Sequence, residues 1–137
     1  MLARTAICAT IPAIMPKRKT KARRPSRAKK RRKAAAGGKL PKDAVTQIVL
    51  LRAREGQEIL LEAELRALVG HTRKEEGCIT FDLHRSVDAP GGFLLHEVWA
   101  SREAHMEHTH TPHFLRWNAN KDALLTSRDA TFWKQIA

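Results

Sequence analysis

The 137 residues suffice for one compact domain, yet charge divides them sharply: residues 1–42 carry 15 of the 26 Lys and Arg and no acidic residue, whereas residues 43–137 carry 11 basic and 14 acidic residues. The net charge of +12 is thus +15 in the first part and −3 in the second, which removes the charge argument for nucleic-acid binding by the folded part. Cys8 and Cys78 lack CxxC spacing, which speaks against a disulfide scaffold and for a reducing, cytoplasmic setting, and no apolar run approaches the roughly 20 residues of a membrane span.

Residues 1–15 are mildly apolar, and because Met15 opens the basic run they read as a start-site extension, with a weak targeting segment as the other reading. Residues 16–33 contain no large apolar residue, so they are expected to stay disordered and extended, free for nonspecific contact with polyanions. Residues 34–41 read as a linker, which sets the division at 1–42 for the basic extension and 43–137 for the domain.

The domain opens with VTQIVLLRAR, residues 45–54, a strand by its β-branched and aliphatic content. Residues 57–72 follow as an amphipathic helix whose apolar stripe is expected to be Ile59, Leu60, Ala63, Ala67 and Leu68. CITFDLHRS alternates Ile79, Phe81 and Leu83 against Thr80, Asp82 and His84 and predicts a half-buried strand. After the turn at residues 88–92, GFLLHEVWAS places Phe93, Leu95 and Trp99 on one face and Leu94 and Val98 on the other, so both faces need covering.

Ser101 caps a short helix, and Thr111-Pro112 starts another, with Phe114, Leu115, Ala119, Leu124 and Leu125 expected on its buried face. ATFWKQIA, residues 130–137, reads as the last strand. The order β-α-β-β-α-β, its second helix broken at Thr111, predicts an α+β fold: a ferredoxin-like antiparallel sheet with helices on one face. An apolar second sheet face in a domain of this size predicts a homodimer stacked sheet on sheet, the dimeric α/β barrel type.

Residues 97–114, EVWASREAHMEHTHTPHF, concentrate Trp99 and the histidines His105, His108, His110 and His113. Zinc or copper ligation is the first thought, but the spacing is not H-E-x-x-H, and the break at Thr111 is expected to turn His110 and His113 away from His105 and His108. No metal site is therefore expected. His105 and His110 read as solvent-facing, Glu97 as an edge residue paired to an arginine, with a buried carboxylate that raises a neighbouring histidine's pKa as the other reading, and Trp117 and Trp133 as plain packing.

EEGCITFDLHRS, FLLHEVWAS and AHMEHTHTPHF resemble the antibiotic biosynthesis monooxygenase domain family, including its quinol monooxygenase-like members, over residues 45–136. The EEGC turn, the E-x-W pattern at Glu97 and Trp99, and the H-x-x-x-x-H-F spacing from His108 to Phe114 carry the likeness. The resemblance implies a pocket between sheet and helices in which a small aromatic substrate reacts directly with oxygen, with no cofactor, flavin or metal. His108 is then the preferred catalytic base, Trp99 the flat wall for a quinol-like or polycyclic phenolic ring, and His113 the second candidate, although a helix start disfavours its imidazolium. Other members of the fold degrade haem or isomerise small molecules; the first strand offers Gln47, Ile48, Val49 and Leu50 without the Asn of the haem-degrading branch, and the chain has no Tyr. The contrasting reading is a non-enzymatic ligand-binding dimer tethered to polyanions by its basic arm.

Overall fold

The structure is a computed structural model that describes residues 39–137. The readings for the arm, for the start of the chain and for most of the linker lie outside the described residues. The elements run β1 (Val45–Ala53), α1 (Glu58–Thr72), β2 (Cys78–Arg85), β3 (Gly92–Trp99), α2 (Arg102–His108), α3 (Pro112–Leu124) and β4 (Leu125–Trp133). All pairings are antiparallel and the sheet order is β2-β3-β1-β4. This is the expected α+β, ferredoxin-like architecture. No helix among the described residues is long and apolar enough to cross a membrane.

Strand periodicity sets which side chains face the helices. Val49, Leu51 and Ala53 of β1, Phe81 of β2, and Phe93, Leu95 and Trp99 of β3 are buried in one cluster with Leu61, Leu65, Leu68 and Val69 of α1. The stripe on α1 differs from the sequence expectation. Ile59 and Leu60 are 86% and 51% exposed, and Ala63 and Ala67 face solvent. At about 100° per residue these four lie opposite Leu61, Leu65, Leu68 and Val69. Three leucines and a valine bury more apolar area than two large residues and two alanines, so they take the core side. Thr72 is also fully buried there, and its hydroxyl has no hydrogen-bond partner among the described residues.

Two further expectations are corrected at the C-terminal end. On α3 the buried residues are Trp117 and Leu124, while Leu115 and Ala119 are exposed. Leu125 already belongs to β4, which begins five residues before the expected strand and stops at Trp133. Its polar sequence hid it: β4 is an edge strand, most of whose side chains face water, so no apolar alternation was needed. Trp133 is not packed in the core of this chain; it is 59% exposed and lies opposite Thr46, on the sheet face away from the helices.

Gly77, between α1 and β2, lets two elements touch. A Cβ there would sit 2.4 Å from the Cβ of Ala104 on α2, and the Gly77 carbonyl accepts from the Ala100 amide at 2.9 Å. Gly77→Ala is therefore expected to push α2 off the sheet and cost roughly 1–3 kcal/mol, as overpacking does. Chemical denaturation checks this, and a midpoint equal to wild type would show that α2 is not seated against the turn.

Candidate active site

The site is assembled from three separate pieces of backbone. Ser101 caps α2, its side chain accepting from the Ala104 amide at 3.2 Å, and Thr111 caps α3, accepting from the Phe114 amide at 3.4 Å with Pro112 at the first helical position. Between them the chain turns. On one continuous helix His108 and His113 would point about 140° apart; across the break they converge. Glu75, in the turn after α1, receives both: its Oε1 is 2.7 Å from His108 Nδ1 and 2.7 Å from His113 Nε2. The expectation that the break would separate His113 from His108 is thus reversed.

The hydrogen bonds also assign the ring protons. Thr111 Oγ1 donates to the His108 carbonyl at 2.7 Å, so toward His113 Nε2, 3.1 Å away, it can only accept. His113 Nε2 therefore carries hydrogen. A carboxylate oxygen likewise accepts, so His108 holds its proton on Nδ1 and keeps a lone pair on Nε2. His108 is 1% exposed, and burial lowers its pKa against the opposing pull of Glu75. A neutral, oriented imidazole results.

Aromatic rings surround it. Trp99 lies 4.7 Å from the His108 ring, Phe114 4.8 Å and Phe81 5.8 Å, centroid to centroid. The Trp99 indole donates from Nε1 to Glu97 Oε2 at 3.0 Å. Glu97 is buried, not an edge residue paired to arginine. Desolvation raises its pKa from 4.5 to about 7, opposed by the Trp99 bond and by the Arg128 charge. His105 does not face solvent as expected. It is half-buried, 5.6 Å from Trp99 and 4.9 Å from Phe132, whose ring also carries the Arg102 guanidinium at 3.6 Å. Burial first, then the nearby His108 and arginine charges, lower its pKa to about 4. His110 is exposed, as expected.

The space at the site is small. A cavity of about 10 Å³, lined among others by Gln47, Glu97, His105, His108, Phe114 and Arg128, has room for about one water. Trp99 and His113 are not among its walls; Trp99 backs the His108 ring. A larger groove of about 680 Å³ lies between α1 and β2, lined by Arg66, Arg73, Arg85, Glu62 and Leu83, and contains none of the groups just described. The chemically equipped place is the small cavity. Sequence reasoning missed Glu75, which holds the His108 ring, and Gln47, on the cavity wall. The signal for Glu75 is the EEGC turn that carries the resemblance; Gln47 enters the sequence reading only as part of a first strand without an Asn. Cys78, beside this turn, is pushed up to about 12 by burial and neighbouring carboxylates, which leaves it an inert thiol.

A buried neutral imidazole held by a carboxylate and packed among aromatic rings thus lies under the four-stranded antiparallel sheet of a small α+β protein. The chain belongs to the antibiotic biosynthesis monooxygenase family, whose profile matches residues 44–120. Two relatives are named as putative monooxygenases: Rv0793 of Mycobacterium tuberculosis is 38% identical over 82 residues, covering 60% of this chain and 80% of its own, and YcnE of Bacillus subtilis is 32% identical over 79 residues, covering 58% and 81%. Among solved structures, PA3566 from Pseudomonas aeruginosa is 35% identical with a TM-score of 0.67, covering 69% of this chain and 96% of its own.

Proposed function

We propose that this family member is a homodimeric, cofactor-independent monooxygenase that oxidises a quinol-like or polycyclic phenol with molecular oxygen, with His108 as the base. The observation that carries this reading is the Glu75–His108 pair: a 2.7 Å bond to Nδ1 leaves Nε2 as the free lone pair of a buried, neutral ring. His108 removes a phenolic proton, and the resulting electron-rich anion reacts with oxygen. The substrate supplies all the electrons: one oxygen atom enters its ring and the other leaves as water, so a hydroquinone becomes a hydroxyquinone. Low polarity around Phe81, Phe114 and Trp99 favours the step by excluding water. Because the cavity holds about 10 Å³, admission of a ring requires its walls to move apart, and His105, Phe114 and Arg128 are the wall residues that are not fully buried. Oxygen uptake by the purified protein across a panel of hydroquinones and anthrones tests this; uptake no faster than buffer throughout the panel would overturn it.

The dimer is supported by the uncovered sheet face. Ile48, Leu50, Leu94, Val98 and Trp133 share the side away from the helices by strand register, and Leu50 is 50% exposed in the single chain. Leu50→Asp is expected to convert a two-chain species into single chains, read by light scattering after size exclusion. An unchanged mass for the variant would remove this face from the interface.

A further inference from the structure

We propose that Glu75, His108 and His113 also form a binding site for a single divalent first-row transition ion, of which zinc is the test case, and that the ion blocks the base. Their three donor atoms lie within 4.8 Å of one another, with Glu75 Oε1 already 2.7 Å from each imidazole nitrogen. Zinc bonds to nitrogen and oxygen of about 2.0–2.2 Å place tetrahedral ligand atoms roughly 3.4 Å apart. Each short contact to Glu75 must therefore widen by well under 1 Å, and the two rings must draw together. Both adjustments are within reach, because the three residues sit on separate elements joined by turns.

The donor set also selects the ion. Two imidazoles and one carboxylate suit zinc, cobalt or ferrous iron, whereas magnesium and calcium favour oxygen donors throughout. His108 is shielded from bulk water, whereas Glu75 and His113 keep 17% and 16% of their side chains exposed, and His113 stacks on the exposed His71, 5.5 Å away. The ion can therefore enter from that side. Three protein ligands leave a fourth position for water or another small donor.

Binding has a stated consequence for the ring. An ion on His108 Nδ1 takes the position now held by hydrogen, and the neutral ring then carries its proton on Nε2. The lone pair assigned to the base is lost. This second part rests on the reading of His108 as base; the binding does not.

Isothermal calorimetry of the full-length protein with zinc chloride, without substrate, tests the site, and cobalt(II) gives an independent visible-band readout of coordination. One ion per chain at micromolar affinity or tighter is expected. Glu75→Gln and His113→Ala should each weaken it at least about tenfold, while His110→Ala, outside the cluster, should leave it unchanged. Circular dichroism checks folding, and the near-isosteric Glu75→Gln carries the test if His113→Ala does not fold. Absence of binding to wild type, or equal affinity in Glu75→Gln, overturns the site. If oxygen uptake is found, zinc should suppress it at the same concentration; binding without suppression overturns the block and leaves the site standing.

Discussion

His108→Asn is expected to lower oxygen uptake by about two orders of magnitude or more, the usual contribution of a positioned general base. Asn is chosen over Ala because its amide nitrogen can replace Nδ1 as the donor to Glu75, which would otherwise lose one of its two imidazole partners. The substitution keeps a polar group in a place that is 1% exposed and removes the Nε2 lone pair together with the ring that packs on Trp99 and Phe114. The thermal midpoint should therefore fall while the circular dichroism spectrum stays that of a folded protein at the assay temperature, so that the loss of turnover is read on folded chains. A variant within tenfold of wild type on a substrate that the wild type oxidises would strike His108 from the mechanism. Assaying both proteins across a pH series separates loss of a base from loss of substrate binding, since only the first flattens the rate profile.

The second large effect is on stability. Glu97→Gln is expected to stabilise the protein at pH 8 by on the order of 3 kcal/mol relative to its effect at pH 4. The sign follows from proton counts. The Glu97 carboxyl titrates near 4.5 when exposed and near 7 when folded, because burial disfavours its charge. Between those values the folded state holds more protons, so the group's contribution is fully present below 4.5 and is lost as pH rises through about 7. Gln has no proton to lose and can still accept from the Trp99 indole, so its curve lacks that decline. Urea unfolding of both proteins at pH 4, 6 and 8 measures the difference; parallel stabilities across the series would mean that Glu97 is solvated.

Much of the fold was legible because strands on one buried face must alternate and helix caps use recognisable chemistry. Phe81, Phe93, Leu95 and Trp99 declared their side of the sheet, and Ser101 and Thr111 declared two helix starts. The errors occurred where local pattern underdetermines phase. On α1 two apolar stripes compete, and only the sheet it rests on selects Leu61 and Leu65, beside the expected Leu68, over Ile59 and Leu60. The pattern sets β4 five residues late and runs it past Trp133, because a water-facing edge strand has little apolar signature. At the site, the histidines were visible as residues but their convergence was not, since it depends on a carboxylate 33 positions before His108 in the chain. Glu97 was misjudged for a similar reason: an acid at a strand position looks exposed until its neighbour on β1, Gln47, is seen to be buried with it.

The single oxygen of Glu75 that meets both imidazoles ties together three stretches of backbone: the end of α1, the short helix α2 and the start of α3. Mechanically this is a pin through three leaves. A helix of seven residues has little independent stability, so α2 should not fray alone while the pin holds. In native-state hydrogen exchange the amides of α2 and of the first turn of α3 should open together, as one cooperative unit with one free energy. Motions that admit a guest to the cavity would then be movements of that whole unit about the turn that carries Glu75.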